Sequence, residues 1–275
     1  MPVTYEDLER PPLDAASLNA ALTRPGSLWR TIEVLTQTPS TNAVVVERAR
    51  AGEVEGLVLV AEHQSAGRGR MDRVWVTPPR VALTLSLLLT PDRVPVARWP
   101  WLPLLAGIAV AEAVHGVADL KCDLKWPNDV LVADRKLAGI LVERAERSRG
   151  PVAVVGIGLN VFSTRAELPS PTATSLALEG AATLDRSVLL RQILRCFEAL
   201  YCQWLVEDGD PARGLRESYV RRCVTLGQMV RVDLPTGERV HGEATGIDVG
   251  GHLQVRTDAG PRVLGAGDVV HVRAG

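Results

Sequence analysis

Glu62-His63-Gln64-Ser65-Ala66-Gly67-Arg68-Gly69-Arg70-Met71-Asp72-Arg73-Val74-Trp75 follows an unbroken apolar run, Leu57-Val58-Leu59-Val60-Ala61. The run predicts a buried strand, so the polar stretch leaves a sheet at a strand end. Glycine lets a backbone approach a ligand closely, and arginine adds planar donors matched to carboxylate and phosphate. The stretch is therefore either a loop that holds an anion or a solvated surface loop. The rest of the chain decides between the two.

Upstream, Asp14 caps a short helix through Leu18 and Leu22, ended by Pro25-Gly26. Ile32 to Leu35 alternates as a strand. Ser40 or Thr41 then caps a helix that runs to Ala51 and stops at Gly52. Ser40, Thr41 and Asn42 thus sit at a strand-to-helix junction, where backbone N–H groups are unclaimed.

Downstream, the apolar run 81–89 predicts a central strand buried on both faces. The alanine-rich segment 102–115 predicts a core helix. Residues 125–142 read as a hairpin with Asp134 in its turn. A strand over 152–155 ends in a turn at Gly156-Ile157-Gly158-Leu159-Asn160, and 169–171 is a loop. Leu189, Ile193, Phe197, Leu200 and Trp204 mark an amphipathic helix over 187–205, with a short helix over 211–220. After Arg222 short alternating strands separated by glycine turns predict a small β-barrel. Domains of 1–222 and 223–275 follow from that change of texture.

A chain of 275 residues, 46% hydrophobic and 23% charged, can bury a real core. A net charge of −1 gives no global attraction to nucleic acid or membrane. Cys122, Cys196, Cys202 and Cys223 form no Cys-x-x-Cys pair. Reduced thiols in a cytoplasm suit them, with Cys196 and Cys202 as small hydrophobes on a helix. The first ten residues lack the apolar core of a signal peptide. The apolar run 99–111 is shorter than the ~20 residues that span a bilayer. There is no Gly-x-x-x-x-Gly-Lys-Ser/Thr, His-Glu-x-x-His or Gly-x-Ser-x-Gly, which argues against a P-loop hydrolase, a zinc hydrolase and a serine hydrolase.

Lys125 precedes Trp126-Pro127, and the proline restricts the backbone at the turn. It is either a positioned cation that stabilises charge on an oxygen or phosphate, or a surface lysine in a hairpin. Asn128 and Asp129 either bind a hard metal ion or cap the turn, and the residues alone favour the turn.

Five motifs occur in order: Ser40-Thr41-Asn42; Gln64 to Arg70 with Trp75; Lys125-Trp126-Pro127-Asn128-Asp129; Lys136-Leu137-Ala138-Gly139-Ile140-Leu141-Val142-Glu143; and Gly156 to Asn160. Together they resemble those of the biotin–protein ligases, and the β-rich tail resembles that family's SH3-like C-terminal domain. The resemblance implies an α+β fold with a mixed sheet related to class II aminoacyl-tRNA synthetases. It also implies a two-step reaction with ATP, biotin and Mg2+. Biotin and ATP give biotinyl-5′-AMP and pyrophosphate, and the acyl group passes to a lysine on the biotin carboxyl carrier domain of an acyl-CoA carboxylase.

By the same resemblance, Ser40, Thr41, Asn42, Gln64, Gly67, Arg68, Gly69, Lys125 and Gly139 would bind biotin. Arg68 and Lys125 would be catalytic. Arg70, Trp75, Asn128, Lys136 and Asn160 would line the nucleotide side, with Trp75 over the adenine. No metal ligand is assigned. One departure is Met71-Asp72, where the family carries a further glycine. Three readings of it stay open: a natural variant, an engineered substitution, or an Asp72 that points to solvent. The rival readings are a lipoate–protein ligase, a biotin-sensing DNA-binding regulator and an inactive scaffold. Only one helix is expected ahead of the core, too few for a helix-turn-helix domain, so the resemblance is to the monofunctional ligases without specific DNA binding.

Overall fold

The computed structural model describes residues 10–71, 73–75 and 77–272. Asp72, whose orientation the sequence raised, lies outside them. The first helix, α1, is Ala15–Leu22, with Asp14 accepting from Ala16 N as its cap. Strand β1 is Thr31–Leu35 and α2 is Thr41–Arg50. β2 is Leu57–Ala61 and β3 is Ala82–Leu89. The helix α3, Trp101–Ala118, precedes β4 (Asp123–Lys125), β5 (Asp129–Val132), β6 (Arg135–Ala145) and β7 (Val152–Asn160). The helices α4 (Arg186–Val206) and α5 (Leu215–Val220) follow. The last five strands are β8 (Met229–Asp233), β9 (Arg239–Ile247), β10 (Leu253–Thr257), β11 (Gly260–Leu264) and β12 (Asp268–His271).

The first sheet has seven strands in the order β1-β2-β3-β7-β6-β5-β4. β1 and β2 run parallel and the remaining pairs are antiparallel, so the sheet is mixed as expected. Side chains alternate across a strand, and each strand of this sheet therefore serves two faces. Leu83, Leu85, Leu87, Val155, Ile157 and Leu159 join the large core that includes α3 and α4. Leu57, Leu59, Leu88, Val152, Val154 and Ala145 point the other way and pack with Val45 and Ala49 of α2. Beyond α2 that second face changes from apolar residues to Thr84, Ser86, Gly156, Gly158 and Asn160.

The sequence misplaced one boundary here. Gly156 and Gly158 are not in a turn, because β7 continues as strand through Asn160 with every residue buried. Residues 125–142 form two hairpins, not one. The β5–β6 turn is made by Ala133 and Asp134, both in left-handed backbone with φ of 47° and 64°. The cysteines are free. Cys202 is exposed, so it is not the packed residue expected, whereas burial pushes the Cys122 thiol up to about 12.

The second sheet is antiparallel, in the order β11-β10-β9-β8-β12. Its Val230, Val232, Ala244 and Leu253 belong to the same core as α3 and Trp126. Trp101 Nε1 donates to Val249 O at 2.9 Å and Trp126 Nε1 to Gly251 O at 3.0 Å. These two bonds fix the β9–β10 turn against the start of α3 and the β4–β5 turn. α3 is long and apolar enough to cross a bilayer, and here it is the mostly buried core helix.

Candidate active site

Residues paired directly across neighbouring strands share a face. The β3–β7–β6 register therefore lays out two rows, Ser86·Gly156·Leu141 and Thr84·Gly158·Gly139. Glycine leaves these rows without side chains at their centre, and the neighbours use the space. A Cβ on Gly156 would lie 2.3 Å from Asn42 Oδ1, and one on Gly158 2.5 Å from the Trp75 indole. The floor so formed underlies a cavity of about 680 Å³.

One end of the cavity is polar and buried. Parallel β1–β2 pairing resumes beyond the strands at Thr38·Gln64, which brings Gln64 to the first turn of α2. Gln64 Oε1 accepts from Thr41 N at 2.7 Å and from Thr41 Oγ1 at 3.0 Å. Ser86 Oγ lies 2.7 Å from Thr41 Oγ1 and 2.6 Å from Asn42 Oδ1. Asn42 Nδ2 donates to Leu141 O at 3.2 Å and to Glu143 Oε2 at 2.8 Å. Ser40, the α2 cap, accepts from Ala43 N at 3.4 Å. The Ser40 hydroxyl and the Gln64 amide NH2 keep donor capacity toward the cavity among the described residues.

The arginine stretch is a small hairpin lying over the floor. Gly69 N donates to Arg73 O at 2.6 Å and Trp75 N to Gly67 O at 2.9 Å, with left-handed Met71 (φ 51°) at the tip. Arg68 Nη2 is 3.0 Å from Glu143 Oε2. Arg70 Nη2 donates to Gly267 O at 3.1 Å, and Arg73 forks onto both carboxylate oxygens of Asp268. Burial pulls the Arg70 pKa down, whereas the hydrogen bond to Asp268 raises that of Arg73. Both remain cations at neutral pH.

The other end carries a lysine. Leu131 pairs with Lys136 and Val130 with Ala138, so Leu137 is an extra residue in β6. Such a bulge re-aims the side chains beside it. Lys136 Nζ lies 2.6 Å from Asp129 Oδ1 and 3.2 Å from where a Cβ on Gly139 would stand. The Trp75 ring comes to 3.3 Å of that same point, so amine and indole meet over Gly139. Asn128 and Asn160 donate their amides to Ile140 O and Thr174 O, both at 2.9 Å, and hold the surrounding backbone. Pro169, Ser170, Thr172 and Ala173 close this end.

Ser40, Thr41, Asn42, Gln64, Arg68, Gly69, Arg70, Trp75, Asn128, Lys136, Gly139 and Asn160 all line the cavity. Two residues singled out from the sequence do not. Lys125 ends the edge strand β4, and it is not among the cavity-lining residues. Gly67 serves its own hairpin instead: a Cβ there would lie 2.2 Å from Trp75 O. Sequence reasoning passed over Thr84, Ser86 and Asp268. The signal for the first two was present, as polar residues two apart in the otherwise apolar β3. Asp268 had none.

A sheet-floored cavity that runs from neutral hydrogen-bonding groups to a cluster of cations defines a small-molecule enzyme site. Residues 34–160 match the Biotin/lipoate A/B protein ligase family, and residues 225–272 match the Biotin protein ligase C terminal domain. The biotin–[acetyl-CoA-carboxylase] ligase of Mycobacterium tuberculosis is 44% identical over 275 residues, covering 98% of this chain and 100% of that one. The bifunctional ligase/repressor BirA of Bacillus spizizenii is 36% identical over 234 residues, covering 84% of this chain and 70% of that one. Among solved structures, the biotin protein ligase from Aquifex aeolicus in complex with biotin and ATP superposes with a TM-score of 0.74 at 26% identity, covering 90% of this chain and all of that one. The chain belongs to the biotin protein ligase family and is a ligase.

Proposed function

We propose that the protein joins biotin to a lysine of a biotin carboxyl carrier domain of an acyl-CoA carboxylase, through biotinyl-5′-AMP. The observation that carries this reading is one continuous cavity with buried amide and hydroxyl groups at one end and Lys136, Arg70 and Arg73 toward the other. The ureido ring fits the Ser40–Gln64 end, where paired donors and acceptors discriminate against a ligand without them. The valeryl chain then passes beside the Trp75 indole, which itself lies on Gly158 and Gly139. Its carboxylate arrives at Lys136.

In the first step a carboxylate oxygen of biotin attacks the α-phosphorus of ATP and pyrophosphate leaves. Two anions must meet, so fixed cations at the meeting point lower the barrier. We assign that role to Lys136, in place of Lys125, with Arg70 on the same side and Arg68 reaching the cavity from Glu143. In the second step an uncharged lysine amine attacks the acyl carbon, AMP leaves with the bonding pair, and the amine gives up a proton. Trp75 covers the ligand and extends toward the adenine. Mg2+ fits the donor set as an ion carried on the triphosphate, since the cavity has only two lining carboxylates among the described residues, Asp129 beside Asn128 and Asp268, and Mg2+ is often bound through one or two carboxylates and substrate phosphate. When bound, it supplies charge neutralisation. A cytoplasmic setting suits these substrates and the four free cysteines.

Pyrophosphate release in the presence of ATP tests the reading. It is expected with biotin and not with lipoate, followed by label transfer to an isolated carrier domain. Release with lipoate alone would replace the reading by its nearest rival. Salt-sensitive, sequence-selective retention of duplex DNA would add a regulatory role outside it. Gly158→Ala is a second check. Overpacking against the indole is expected to weaken biotin binding by about 1–3 kcal/mol, roughly 5- to 150-fold in a calorimetric titration. Unchanged affinity would remove the glycine floor from the biotin path.

A further inference from the structure

We propose that Asp268, in the C-terminal sheet, is a positioning residue that tethers the arginine hairpin over the cavity. The contact crosses from one sheet to the other. Arg73 forks onto both Asp268 oxygens, and Arg70 donates to the carbonyl of the preceding residue, Gly267, at 3.1 Å. A forked guanidinium–carboxylate pair fixes orientation as well as distance. Asp268 itself lines the cavity, so a carboxylate stands in the wall of a site built from cations.

The acceptor side is rigidly held. Gly267 has φ of +156°, and a Cβ there would lie 2.4 Å from Val232 Cγ1. Asp268 opens β12, which pairs with β8 from Asp233 onward. The second sheet is in turn pinned by the Trp101 and Trp126 bonds to its β9–β10 turn. The hairpin side is lighter. Its internal bonds are those of a short two-stranded ribbon, and Met71 and Val74 at its tip are 45% and 68% exposed. A ribbon of that size is marginal without outside support. The tether adds to the support from the Arg68–Glu143 pair and from Trp75 on the glycine floor, and the hairpin leaves the cavity only when Arg70 and Arg73 let go of the second sheet.

The tether exists without any ligand, and its consequence for retaining the acyl-adenylate rests on the ligase reading above. Hydrogen exchange of the amides of residues 65–75 in ligand-free full-length protein separates the two. The Arg73 side chain is 61% exposed, so the effect is moderate. Asp268→Asn is expected to speed exchange in this segment roughly threefold to tenfold, leaving the strands β8 to β10 unchanged. Arg73→Gln should do the same from the other side. The charge swap Arg73→Asp with Asp268→Arg should return exchange to within about twofold of the parent. Release of biotinyl-5′-AMP, followed by chase, should quicken in parallel in the two single variants. Hairpin exchange that stays at the parental rate in both single variants overturns the tether. A parent protein that releases no pyrophosphate, but whose hairpin loosens as described, overturns the ligase reading and leaves the tether standing.

Discussion

Lys136→Met is expected to slow biotin-dependent pyrophosphate release by about 100- to 1000-fold, the usual cost of deleting one preorganised charge from a transition state. Lys125→Ala should stay within about twofold of the parent, because a group outside the cavity has no reacting atom to stabilise. The two lysines are only a hairpin apart, but they face different surroundings. Lys136 Nζ is held 2.6 Å from Asp129 Oδ1 and stands over the glycine floor. Lys125 is outside the cavity lining. Methionine keeps the length and apolar stem of Lys136, so circular dichroism should show an intact fold. The Asp129 carboxylate would then lose its ion pair, and some loss of stability accompanies the kinetic effect. Stopped-flow or coupled detection of pyrophosphate reads the first step alone. The reverse ranking of the two lysines would return the catalytic cation to Lys125.

Arg186→Met is expected to lower stability by about 3–5 kcal/mol, the cost of stranding a buried carboxylate. For a chain of this size that is a fall in melting temperature of roughly 6–20 °C. Arg186 Nη1 lies 2.5 Å from Glu62 Oε2, and the two side chains are only 2% and 6% exposed. Glu62 Oε1 also accepts from Leu13 N at 2.6 Å, and Arg186 Nη2 donates to Pro11 O at 2.6 Å. The pair therefore joins the segment before α1, the end of β2 and the start of α4. Glu62 is two residues from Gln64, so loosening it also loosens the base of the arginine hairpin. Removing both charges, Glu62→Gln with Arg186→Met, should recover much of the loss, since no uncompensated ion then remains in the interior. Calorimetry of the single and double variants decides it. A double variant as unstable as Arg186→Met would show that packing, and not the stranded charge, sets the cost.

Much of the fold was legible because its signals are local. Asp14 caps the helix it was expected to cap, and of Ser40 and Thr41 it is Ser40 that caps α2, through bonds to backbone N–H groups two and three residues on. The β2 run is apolar and buried on both faces, and β3 is buried on both faces and apolar except at Thr84 and Ser86. The apolar spacing of α4 matches its buried stripe of Leu189, Ile193, Phe197 and Trp204. Gly156 and Gly158 were misread as turn residues because glycine in sequence carries no mark of what lies against it. Here the cause is Asn42 on one and Trp75 on the other, brought from more than eighty residues away.

The amino-acid sequence alone determined the family and twelve of the residues that meet in the cavity. Motif chemistry and alternation are properties of short stretches, and they survive in a linear reading. Which lysine enters the cavity was settled only by the bulge at Leu137, since simple alternation from Gly139 would turn Leu137 inward and Lys136 away. The partners of Glu62 and Arg73 were settled only by folding. Arg186 and Asp268 lie 124 and 195 residues away from them, and no local pattern encodes a charge pair across that distance. The opening Gly-Arg-Gly-Arg stretch could be read as an anion loop from its chemistry, but its place over the floor depends on a carboxylate in another sheet.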